Sequence, residues 1–210
     1  MEGLDIRTLA LTNLLLGLFL GVGSFVFARI HTSFRGFKAL GYSYFLFAFG
    51  FILLGLRQYI ADFLSIIANL VIVAGFSLLI LGILKFLKYE KHVFEKISLA
   101  LLCAVTFAFV YFTYFQSSVN ARIIVISAVI SCLSFFASYK IITKQAQDVL
   151  TFTRFLGFSF LYCAVIFLLR IYFVFDEPEL DNFMNGGIIH AFSLIALQLV
   201  AITSCFSLTI

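Results

Sequence analysis

Charge is scarce in this sequence: 11% of its 210 residues are Asp, Glu, Lys or Arg, against 63% that are hydrophobic. Soluble domains carry about 25% charged residues. Folded in water, a chain this short would still leave roughly a third of its unfolded surface exposed. So much apolar surface cannot be hidden that way, and lipid must take the place of water. The sequence also has a single proline, Pro178, which lies between apolar runs and breaks none of them. It lacks the alternation of a β-barrel strand. The spanning elements are therefore α-helices.

Other absences remove whole classes of function. The four cysteines, at 103, 132, 163 and 205, show no CxxC spacing and no nearby histidine. They read as small apolar packing residues. The three histidines, at 31, 92 and 190, are far apart and on different sides, and HExxH is missing, so no metal site is expected. No lysine lies in the last run, which excludes a retinal Schiff base. Every Asp and Glu lies near the end of a run, so no mid-span carboxylate can relay protons. No catalytic residue and no cofactor are expected. The net charge of +4 is spread between the apolar runs, where it anchors topology. Nucleic acid is not an expected partner, whereas membrane lipids are.

What remains is a series of seven apolar runs, at about 8–28, 39–57, 63–84, 97–115, 121–140, 154–175 and 187–210. The expected fold class is all-α: a polytopic seven-transmembrane helix bundle, with 1–210 a single membrane domain and short connections. The first run is preceded by Glu2 and Asp5 against one Arg7 and followed by no A-x-A site, so it stays as a span rather than being cleaved as a signal. Asp62 sits where an N-cap belongs at the start of the third helix. The acidic run from Asp176 ends the sixth.

Lys and Arg divide unequally between the two sides. Arg29, Arg35, Lys38, Lys85, Lys88, Lys91, Lys96, Lys140, Lys144 and Arg154 make ten on one side, while Arg7, Arg57, Arg122 and Arg170 make four on the other. Basic residues favour the cytosol. The expected N-terminus is outside and the C-terminus inside. The last run reaches Ile210 with no basic residue to mark that boundary. The chain therefore reads as the membrane domain of a longer protein, with a cytosolic domain to follow.

Several short strings carry a family likeness. Leu4-Asp-Ile-Arg-Thr-Leu9 leads to Asn13, followed by Ala39-Leu-Gly-Tyr42 and Gly50-Phe-Ile-Leu-Leu-Gly-Leu-Arg57. Asp62-Phe-Leu-Ser65, Ala68-Asn69, Gly75 and Gly82-Ile-Leu-Lys-Phe86 continue the series. Asn120-Ala-Arg122, Arg154-Phe-Leu-Gly157 and Arg170 are compatible with it in the later half. The whole pattern resembles the multi-span N-terminal regions of bacterial GGDEF-type diguanylate cyclases, which make cyclic di-GMP. The resemblance implies a bacterial inner-membrane location and a homodimer in the full-length protein. It also implies a cytosolic catalytic domain. The family's catalytic motif, metal carboxylates and nucleotide site lie in that domain and are missing here, so this chain is expected to regulate an enzyme without being one. Similar membrane regions precede other output domains, such as phosphodiesterases and histidine kinases.

Polar residues inside spans are rare and mark function. Arg57, Arg122, Arg170 and His190 are expected at similar depth in the outer leaflet, with Tyr172 close by. Brought together, they would make a basic pocket for an anionic or lipid-like ligand, because the arginine fork binds carboxylate and phosphate bidentately. The competing reading has Arg57 and Arg122 snorkelling to the interface or pairing with Asp62, Asp176 or Glu177. His190, with an ordinary pKa near 6.5, is a packed histidine or a reader of external pH. Asn13, Asn69 and Gln198 are expected as interhelical hydrogen-bond glue, and Gly17 and Gly21 as a GxxxG packing face within the chain or between copies. The 29 phenylalanines read mostly as bulk. The leading function is a transmembrane sensor. The alternatives are a small transporter or a scaffold or anchor subunit.

Overall fold

Runs of about 20 apolar residues satisfy their backbone only by coiling, and seven such helices are present among the described residues. The structure, a computed structural model, describes residues 6–31, 36–56, 62–89, 92–143, 150–176 and 187–209. Within them lie α1 (Ile6–Ile30), α2 (Phe37–Leu56), α3 (Asp62–Phe86), α4 (His92–Val110), α5 (Val119–Thr143), α6 (Leu150–Asp176) and α7 (Ile188–Thr209). No strand occurs among the described residues. All seven are long and apolar enough to cross a bilayer, α4 together with the π-helical turn Tyr111–Phe115 that continues it.

The helices overrun the apolar runs at several ends. The fourth begins at His92 rather than near 97, and the sixth at Leu150 rather than 154. Lys, Arg and Glu are good helix formers, so a helix continues through interfacial charges that end a hydropathy run. The α5 start has its own stop signal. The Ser118 hydroxyl accepts the Ala121 amide at 3.1 Å, an N-cap that the apolar pattern does not reveal.

The helices form a ring in chain order, closed by α1 against α7. α3 and α5 also touch each other directly, and α4 rests outside that junction. Only 22% of the α4 span is buried, against 61% for α3 and α5. α4 is the most lipid-facing member of the bundle.

Close approach depends on small residues. The buried face of α1 runs through Asn13, Gly17, Gly21, Ser24 and Ala28, while Leu11, Leu15, Leu18, Val22 and Val26 face outward. A Cβ at Gly17 would lie 2.9 Å from the Tyr44 carbonyl oxygen of α2, so the GxxxG face is occupied within the chain. On the other side of the ring, Ser131 and Ser138 of α5 donate to the Ala164 and Gly157 carbonyls of α6, each at 2.9 Å. Gln198 of α7 donates to Thr12 at 2.7 Å, and Asn13 donates to Leu9 O at 2.9 Å and across to Leu194 O at 3.4 Å. Many of the phenylalanines are not lipid-facing bulk. Phe47, Phe76 and Phe160 meet edge to face through the centre, joining α2, α3 and α6.

Tyr44 is wholly buried, and its hydroxyl donates to the Ala201 carbonyl of α7 at 3.0 Å, joining the two helices that flank α1. Tyr44→Phe is expected to lower stability by about 0.5–1.5 kcal/mol, the usual net value of one such bond. Denaturant titration of the purified protein in detergent measures it. An unchanged midpoint would mean that the bond adds nothing.

Candidate functional site

Arg122 and Arg170 are the two arginines within described spans that lie away from the surface, 6% and 5% exposed. A guanidinium is costly to hold in a low-dielectric interior, so each needs a built surround. Arg122 sits in the first turn of α5. Its Nε donates to the Ser118 carbonyl at 3.3 Å and its Nη1 to the Thr113 hydroxyl at 3.4 Å. The α4–α5 connection thus clamps it, with Ser118 both capping the helix and gripping the side chain. Thr113 belongs to the π-helical turn, whose wider winding closes with the Gln116 amide on the Tyr111 carbonyl at 3.0 Å. Such turns recur at functional sites.

Arg170 lies six residues before the end of α6, roughly 9 Å inside the helix terminus. Its Nε donates to His190 Nδ1 of α7 at 3.0 Å, and its guanidinium carbon lies 5.6 Å from the centre of the Phe167 ring, one turn back. An imidazole that accepts at Nδ1 carries its proton on Nε2. His190 is fully buried, and its own carbonyl accepts the Ser193 hydroxyl at 2.7 Å. It fixes the plane of the Arg170 fork.

Both arginines line one partly open cavity of about 60 Å³, which α2, α3, α4, α5, α6 and α7 all help to wall. A single water needs roughly 10–15 Å³ of such space, so there is room for about four waters or a compact anionic group. Asn69, Ser65 and Ser193 supply the rest of its polar lining, and among the described residues no Asp or Glu lines it. Phe109, the last buried ring of α4, covers one side.

The other residues singled out in the sequence fall in different places. Arg57 lies outside the described residues, as do the side chains of Asp62 and Asp176 and all of Glu177, so pairing among them is not described. Tyr172 is 65% exposed on the outer face of α6, set against Phe173, and does not line the cavity. Its position two residues from Arg170 turns it some 200° around the helix, away from that arginine's face. Asn69 does not bridge helices. Its amide donates to the Ser65 carbonyl of its own helix at 2.7 Å, and its side chain borders the cavity. Ser65, Ser193, Thr113 and Ser118 were not legible as site residues. Only Ser193, one turn beyond His190, carried a positional hint.

Among the described residues no three His, Cys, Asp or Glu side chains gather as a metal site would require. The two guanidiniums and the hydroxyls around them are hydrogen-bonding groups that can hold and orient an anion. Fold and site together define a multi-pass membrane protein of seven helices, with a basic cavity near one end of the bundle. Compared with family models, curated proteins and solved structures, the chain matches none.

Proposed function

We propose that this chain is the sensor domain of a signalling protein in the bacterial inner membrane, with its N-terminus outside and a cytosolic output domain beyond its last helix. The output proposed is a diguanylate cyclase acting as a homodimer. This reading is supported chiefly by one observation: two buried arginines from different helices line a single cavity walled by six helices. A group bound there touches α3, α5, α6 and α7 at once, so its preference for one packing over another can shift the bundle. The cavity lies near the end that carries the α2–α3, α4–α5 and α6–α7 connections, which the Lys and Arg count assigns to the outside. The seventh helix runs from that cavity to the opposite face, where it carries the change into the cytosol.

Many transporter folds break a helix at the midplane. The π-helical turn at Tyr111–Phe115 lies at the end of its span, which favours the sensor.

Arg170→Ala in the full-length protein is expected to alter cyclic di-GMP output or its response to stimulus while membrane insertion persists. Cellular cyclic di-GMP and membrane-fraction abundance report the two separately. Unchanged output and unchanged response would remove the cavity from the signalling path.

A further inference from the structure

At the end of the bundle opposite the Arg122–Arg170 cavity, an open groove of about 440 Å³ lies between the end of α1 and the start of α2. It is about seven times larger than that cavity. Phe25, Val26, Ala28, Arg29 and Lys38 line it. Its apolar floor is held in place by α2. The Phe25 ring stacks on Phe45 with centroids 5.7 Å apart and meets Tyr42 edge-on at 4.9 Å. It also lies so close over Gly41 that a Cβ there would stand 2.7 Å from the ring. Val26 and Tyr42, 52% and 58% exposed, extend this apolar surface outward to the lipid. Residues four apart share a helix face. Arg29 therefore stands one turn beyond Phe25, and Lys38 one turn before Tyr42, each toward the end of its span. Two cations thus border an aromatic floor where two helices leave the membrane.

The hairpin carries no carboxylate to answer that charge. Residues 6–61 include no Asp or Glu, α7 has none, and the charge in the last turn of α3 is Lys85. Lys38 stands in the first turn of α2, where the helix dipole is positive and favours an anion over a cation. The complement of this groove is therefore an anion, and its setting selects which one. Phe25, Val26 and Tyr42 lie deeper in the membrane and suit an acyl chain, while the two cations lie at headgroup level. We infer that the groove holds one anionic glycerophospholipid, with its phosphate between Arg29 and Lys38 and an acyl chain along Phe25, Val26 and Tyr42. The inference goes beyond the sensor role and does not depend on it. A Lys or Arg beside anionic lipid is worth about a fivefold gain in affinity, so the pair should favour an anionic over a zwitterionic head at least about tenfold.

Native mass spectrometry of the purified 210-residue chain tests this, with dioleoyl phosphatidylglycerol as probe. Dioleoyl phosphatidylethanolamine and glycerol 3-phosphate serve as comparisons. A single phosphatidylglycerol per chain is expected to be retained, at least about tenfold more tightly than phosphatidylethanolamine. Arg29→Gln with Lys38→Gln should release it, and Arg29→Lys with Lys38→Arg should keep it. Lys85→Gln with Lys88→Gln removes basic residues at the same end but outside the groove, and should leave the lipid bound. Equal retention of phosphatidylethanolamine would show that the charges do not read the head. Equal loss in the Lys85 and Lys88 variant would show diffuse attraction rather than a site. Displacement by glycerol 3-phosphate at similar concentration would show a free-phosphate site. A dimer that needs Arg29 and Lys38 and carries no lipid would show that a second copy fills the groove. Each of these results overturns the inference, as does lipid retained unchanged without Arg29 and Lys38, or no lipid retained at all. Both residues are exposed, so replacing them leaves the core intact, and the comparison of lipids needs no variant.

Discussion

Gly17→Leu is expected to destabilise the bundle more than any other single exposed-to-apolar or glycine change in α1, by about 3 kcal/mol, the upper part of the range for overpacking. The reason is what surrounds the missing Cβ. It would stand 2.9 Å from the Tyr44 carbonyl oxygen and 3.2 Å from the Ala48 amide nitrogen, both backbone atoms of α2 that cannot swing aside. The helices would have to separate, which would also strain the Tyr44–Ala201 bond between α2 and α7. The same substitution elsewhere on α1 supplies the controls. At Gly21 the nearest atoms belong to the Phe45 ring, 3.2 Å away, and a ring can yield; at Gly23 nothing lies within 4 Å. The expected order of damage is Gly17, then Gly21, with Gly23→Leu within about 0.5 kcal/mol of the parent. Thermal denaturation in detergent, followed by the fraction that remains monodisperse, gives the ranking. Equal effects at all three positions would contradict the packing shown. Were the glycine pair a dimer contact instead, Gly17→Leu would change the oligomeric state and leave the midpoint where it was.

His190→Leu is expected to cost about 2 kcal/mol, because hydrogen bonds to a charged group are worth about 1.5–3 kcal/mol and the buried Arg170 Nε loses its acceptor. The substitution fills the same space with apolar atoms, so lost packing is a minor part of the effect. His190→Gln retains an acceptor and is expected to recover part of the loss. The double variant Arg170→Leu, His190→Leu should be less damaged than the sum of the two single changes, since the second removes a group the first has already orphaned. Chemical denaturation of the four proteins closes the cycle. Additive losses would mean that the two side chains act independently, whatever their 3.0 Å separation.

The seven spans were legible because lipid imposes a length of about 20 apolar residues on any helix that crosses it. Their ends were less so. His92 and Leu150 start helices several residues before the apolar runs, since charged residues at an interface continue a helix without adding to its hydropathy. Arg122 and Arg170 stood out in the sequence, because a guanidinium within a span needs a reason. That the two line one cavity was not visible, because it depends on how α5 and α6 are rotated against each other. That rotation is set by Ser131, Ser138 and Gly157, small residues whose role shows only once the helices are in contact. Tyr172 could have been excluded from the sequence alone, since residues two apart on a helix do not share a face. Asn69 illustrates the opposite case. A mid-span amide is chemically able to bridge helices, and only its surroundings show that it bonds back to Ser65 and borders the cavity instead.

The most direct test of the proposed signalling role is to read the native gene past the codon for Ile210. The proposal predicts an open frame that continues through a helical linker into a domain carrying the GGDEF signature. A stop codon immediately after Ile210 would contradict it and turn attention to transport or to a partner subunit.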